Sequence, residues 1–128
     1  MNTKKKVVYD SQHYFARFLK YEFRKTLKFD TFKDFNLLEK ALNNYSTIIF
    51  VIYREEEFID LMKIYKKGIP LIVCTFNKQL LLKLKNIDEI LLLDTSKVKS
   101  EVITELKSYL NLVRFSPTIL SKVDLGIY

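Results

Sequence analysis

Few residues of this chain could do covalent or metal chemistry, and they are thinly spread. The single histidine, His13, stands close to Asp10, and a His–Asp pair can relay a proton or share a metal. No second histidine, activated serine constellation or metal-ligand spacing accompanies it. The pair therefore reads as an ordinary carboxylate beside an exposed histidine in the first turn of a helix. The one cysteine, Cys74, lies inside the apolar run "PLIVCTF", which points to a buried, inert thiol rather than a nucleophile and excludes an internal disulfide. Glu55, Glu56 and Glu57 follow the apolar run "STIIFVIY" after Arg54. They stand where a helix begins and complement its dipole. With two glycines in the whole chain, there is no phosphate-cradling loop and no dinucleotide fingerprint.

What positions these residues is a chain of 128 residues, 48% apolar and 14% aromatic, sized for one domain. The scarcity of glycine and proline argues against a turn-rich all-β fold. The net charge is +7, mostly from lysine, which makes nucleic acid or an acidic partner a candidate. The lysines are dispersed, however, with short clusters only at Lys4–Lys6 and Lys66–Lys67, as on a solvated surface. No apolar run reaches the ~18 residues of a membrane span, and "MNTKKKVVYD" has no signal-peptide core behind its lysines. A cytoplasmic protein with no membrane partner is expected. The initial methionine and short tail suggest a complete chain.

Along the chain, strand and helix patterns alternate. "KKVVYD" is a short strand ending at Asp10. "SQHYFARFLKYEFRKT" puts Phe15, Phe18, Leu19 and Phe23 on one helical face, with Ser11 as N-cap. "LKFDTFK" alternates as an edge strand does. "DFNLLEKALNN" starts on a capping Asp34 and buries Leu38, Ala41 and Leu42. Thr47–Ile52 is a strand buried on both faces, "EEEFIDLMKIYKKG" a helix closed by Gly68, and "IPLIVCTF" the fourth strand. "NKQLLLKLKN" is a helix between two asparagines, "IDEILLLD" the fifth strand, and "TSKVKSEVITELKSYLNLV" a helix with Val98, Val102, Leu106, Leu110 and Val113 in register. Five β-α units with near-continuous apolar strands predict an α/β three-layer sandwich around a five-stranded parallel sheet with five helices. The domain is read as residues 1–113. Residues 114–128 form a tail that packs on it or makes a contact.

This order resembles the receiver domain of bacterial response regulators, the flavodoxin-like fold of two-component signalling. "DTFKDFNLLEKALNNYSTIIFVIY" is similar to the family's second strand, second helix and third strand. "KKGIPLIVCTF" looks like its Ile-Pro entry into strand four, with a hydroxyl at the strand end, and "NIDEILLLD" like the acids before strand five. The resemblance implies a phosphoryl-accepting aspartate at the end of strand three. It also implies Mg²⁺ held there with acids from strand one, and a lysine at the end of strand five. Here Asp10 matches one strand-one acid and Thr75 the hydroxyl. The acceptor position falls on Val51 or Ile52, and the lysine position on Leu93. Glu55, Glu56 and Glu57 lie beyond the strand end and do not replace the acceptor. The chain looks like a pseudo-receiver, with Asp10, Tyr53 and Thr75 marking a vestigial pocket that Tyr53, Tyr9 and Phe76 could plug.

No enzyme activity, metal or cofactor is expected on this reading. Function then rests on protein–protein contact or a homodimer, through the face that receivers build from helix four, strand five and helix five. Its candidate residues are Leu81, Leu84 and Tyr109, because the run Leu80–Leu82 with Leu84 exceeds what one buried face requires. The alternatives are a basic nucleic-acid-associated protein and a receiver with a displaced acceptor.

Overall fold

A computed structural model describes residues 5–113. Five parallel strands alternate with five helices: β1 Lys5–Asp10, α1 Phe15–Glu22, β2 Phe29–Phe32, α2 Phe35–Ala41, β3 Tyr45–Val51, α3 Phe58–Tyr65, β4 Leu71–Thr75, α4 Lys78–Leu84, β5 Leu91–Asp94 and α5 Lys99–Val113. The strand order is β2-β1-β3-β4-β5, the flavodoxin-like arrangement, with β1 and β3 pairing Val7 to Ile48 and Asp10 to Val51. The tail 114–128 lies outside the described residues.

Strand periodicity divides the core into two layers. On one side Val8, Ile49, Val51, Ile72, Cys74 and Leu93 meet Phe15 and Leu19 of α1 and Val102 and Leu106 of α5. On the other, Val7, Ile48, Phe50, Ile52 and Val73 meet Leu38 of α2, Leu61 of α3 and Leu84 of α4. Successive residues of one strand thus serve opposite layers, which is why the strands read as unbroken apolar runs.

Local signals account for several boundaries. Asp34 caps α2 by accepting the Asn36 N–H, and Asn77 caps α4 by accepting those of Gln79 and Leu80. Gly68 adopts φ +75° just past α3, the left-handed position that stops a helix at least cost when no Cβ is present.

Three expectations are corrected. Ser11 is not an N-cap: α1 starts at Phe15, and its flanking Tyr14 makes no side-chain cap. β5 is confined to Leu91–Asp94, because Glu89 takes a left-handed φ of 63° and turns the preceding acidic stretch out of the sheet. Val98, although in phase with Val102 and Leu106, precedes α5 and is 62% exposed.

Candidate functional site

The C-terminal ends of β1 and β3 are where a receiver would carry its chemistry, and here they are filled by groups already committed to the fold. Asp10 is fully buried. One of its oxygens accepts the Gln12 N–H at 3.0 Å and the other the Ala16 N–H at 2.9 Å. The carboxylate thereby takes over the capping of α1, satisfying one of the amides that a helix start leaves open. Val51 and Ile52, where the receiver resemblance would put the acceptor, are fully buried in opposite layers, and Leu93, where it would put the lysine, is fully buried against the α1 and α5 layer.

Glu57 is the residue that sequence reasoning undervalued. Rather than only facing the helix dipole, it folds back under β3. One oxygen accepts the N–H groups of Tyr53 at 2.7 Å and Arg54 at 3.0 Å, and the other accepts the Ser11 hydroxyl at 2.8 Å. The Glu57 N–H returns to the Arg54 carbonyl at 3.0 Å. The signal was present: Glu57 stands three residues after Arg54, the spacing at which a glutamate reaches back to the residue that starts a helical turn. Glu55 turns outward to pair with Lys83.

Of the three pocket residues, Asp10 and Tyr53 come together. The Tyr53 hydroxyl is buried with no hydrogen bond of ordinary geometry, and burial with the adjacent Asp10 carboxylate pushes its ionisation far above the usual phenol range. Thr75 closes its own turn, its Oγ1 accepting the Asn77 N–H at 3.1 Å while its carbonyl accepts the Thr95 N–H at 3.0 Å. The aromatic cluster at this end has a different membership from the one expected. Tyr53 stacks on Phe76 at 6.1 Å, and Phe76 meets Phe15 edge-on at 5.9 Å. Tyr9 instead packs on Phe50 and Phe35 in the other layer.

His13 is neither exposed nor in the first turn of α1. It is half-buried ahead of the helix at φ 55°, its N–H donating to the Asp10 carbonyl at 3.0 Å and its Nδ1 unpartnered. No hydrogen bond joins its ring to the Asp10 carboxylate, so the proton relay has no geometry. Cys74 is fully buried, and burial first, with Asp10 second, drives its thiol far from ionisation.

The Mg²⁺ that the receiver resemblance implies does not fit these residues. Both Asp10 oxygens hold amides, the Glu57 oxygens hold two amides and a hydroxyl, and the acceptor position is apolar. Among the described residues no group of three His, Cys, Asp or Glu side chains is arranged for a metal ion, and no helix is long and apolar enough to cross a membrane.

The partner-face candidates separate as well. Leu84 is fully buried among Leu38-layer residues and offers nothing to a partner, because α4 buries its Leu80–Leu84 edge. Leu81 is half-buried, and the leucine that faces solvent is Leu82, 62% exposed. Tyr109 is half-buried and donates its hydroxyl to the Leu92 carbonyl at 2.8 Å, fastening α5 to β5. Comparison with protein-family models finds no match to this chain, and comparison with curated proteins finds no significant relative.

Proposed function

We propose that the chain is a receiver-like module that takes no phosphoryl group and acts by protein–protein contact. The observation that carries this reading is the double commitment of Asp10 to the Gln12 and Ala16 amides, with apolar Val51 and Ile52 beside it. A metal-assisted phosphoryl transfer needs free carboxylate oxygens and an acceptor at that point. The contact surface is the α4–β5–α5 face, where Leu82 is exposed and Leu81, Leu92 and Tyr109 are half-buried around the edge strand. Lysines occur on every helix, as Lys20, Lys40, Lys63, Lys83 and Lys107 illustrate. Their dispersal over all five helices is what disfavours a single nucleic-acid groove in this reading.

Two measurements test the two halves. Incubation with Mg²⁺ and acetyl phosphate, followed by intact-mass measurement at neutral pH, should leave the mass unchanged; a phosphoryl adduct overturns the reading. Capture of a defined protein from lysate should survive nuclease and be lost with Leu82→Asp. Recovery that collapses with nuclease makes the lysine surplus the functional feature instead.

A further inference from the structure

A cleft of about 400 Å³ opens on the α1–α5 side, at the C-terminal end of the sheet, and neither Asp10 nor Glu57 lines it. Its walls are aromatic: Phe15, Phe18 and Phe76, with Tyr14 at the rim. Phe76 is held in place from behind by its stack on Tyr53, yet remains 38% exposed, and Tyr14 is 66% exposed. Rings left open in this way offer their faces to a flat ligand.

The polar groups of the cleft are few and specific. Thr95 is 6% exposed, its N–H is spent on the Thr75 carbonyl, and its Oγ1 is buried without a partner. A buried hydroxyl left unpaired destabilises a fold, so a ligand acceptor reaching it from the cleft would relieve that cost. Lys97 and Lys99 stand at the same opening. Lys97 is committed to Glu105 at 2.7 Å, whereas Lys99 lies 5.7 Å over the Phe18 ring and opens the fifteen-residue α5. With Lys97 held by Glu105 and Asp94 by Lys78, Lys99 has no ion pair among the described residues, and the nearby Glu101 disfavours a dense polyanion.

We propose that this cleft binds a planar aromatic carboxylate, its ring on the exposed Phe76 and its carboxylate taking the Thr95 hydroxyl and the Lys99 ammonium. The site is independent of the phosphoryl-transfer and partner readings above. No bond is made or broken in it; it recognises and holds.

The test is titration of the isotopically labelled full chain, followed by amide chemical shifts. The probes are 1-naphthoate, its neutral analogue 1-naphthylmethanol, inorganic phosphate and adenosine monophosphate. Naphthoate should saturate shifts at Phe76, Thr95 and Lys97, and the alcohol should bind about five- to tenfold more weakly, as one charge-assisted contact dictates. Phosphate alone should leave these amides unmoved. Lys99→Met should erase the difference between acid and alcohol. Thr95→Val should weaken naphthoate severalfold while raising the melting temperature, a pairing that a merely structural threonine would not show. Equal binding of acid and alcohol, unaltered affinity in both variants, shifts centred elsewhere, saturation by phosphate alone, or tighter binding of the nucleotide would each overturn the assignment.

Discussion

Ser11 donates its hydroxyl to the Glu57 carboxylate at 2.8 Å, joining the loop that follows β1 to the loop that follows β3 across 46 residues of sequence. The same carboxylate carries the Tyr53 and Arg54 amides, so the two crossovers nearest the centre of the sheet share one anchor. Glu57→Ala should cost about 1 to 2 kcal/mol, since it leaves two part-buried amides and a part-buried hydroxyl without their acceptor. Glu57→Gln, which keeps one carbonyl oxygen for the amides, should cost roughly half as much. In a double-mutant cycle with Ser11→Ala, denaturant unfolding should yield a coupling of about 1 kcal/mol. Strict additivity would dissolve the link.

Asp94 supplies an acid-side signature. Burial alone would raise its pKa, but hydrogen bonds from Lys78 and Ser96 prevail and hold it at about 2. A folded pKa below the unfolded value means that the contribution is fully present above about pH 4. It is lost as pH falls toward 2. The Lys78 side chain is 70% exposed, so solvent screens the pair and the effect stays at or below about 1 kcal/mol. The stability gap between the native chain and Asp94→Asn should therefore close between pH 4 and 2; a gap constant over that range would contradict the assignment.

On the alkaline side several buried tyrosines limit stability, Tyr9 and Tyr45 among them. Tyr9 is pushed up to about 12 by burial and then by Glu57, and Tyr45 to about 12 by burial and then by its hydrogen bond to Asp30. Unfolded phenols ionise near 10, so the folded state is favoured below that pH and loses this advantage as pH rises through about 12. Absorbance titration at the phenolate band should show a late step coincident with unfolding, and Tyr45→Phe should shrink it. Complete ionisation near pH 10 with the fold intact would refute the burial argument.

Two leucines of α4, two positions apart, should behave oppositely. Leu84→Ala opens a cavity beneath α4 and should cost about 3 kcal/mol, whereas Leu82→Ala should change stability by less than about 0.5 kcal/mol. Thermal unfolding of both variants checks this. Comparable losses would place Leu82 in a covered environment.

Gly68 gives a backbone prediction free of packing. A Cβ there would meet nothing within 4 Å, so Gly68→Ala reports the cost of φ +75° alone, about 1 kcal/mol. Gly68→Asn should recover part of it, because asparagine tolerates the left-handed region better than alanine. Equal stability of all three chains would mean the residue leaves that conformation.

The layers and element order were legible because both faces of the sheet are covered, so Ile48–Ile52 and Leu71–Cys74 form runs that fit little else. Loop chemistry was less so. Ser11 satisfies the compositional rule for an N-cap, yet the adjacent Asp10 has two oxygens and reaches the Gln12 and Ala16 amides first. Leu81 and Leu84 share a helical face by spacing, but the line facing the sheet is Leu80 and Leu84, and a four-leucine run cannot reveal that phase. Glu57 and Thr95 were hidden for a different reason: their importance comes from groups distant in sequence, Ser11 for one and Thr75 for the other.

The place of β1 between β2 and β3 also dictates when the chain can fold. Its partner on one side, β3, is synthesised roughly forty residues later, and closing so long a loop has to precede any gain from the pairing. As the nascent chain leaves the ribosome, β1, α1, β2 and α2 can form no complete layer until Val51 has emerged. Division of the gene between α2 and β3 thus leaves neither half with a closed core, and only the two fragments together can rebuild the sheet.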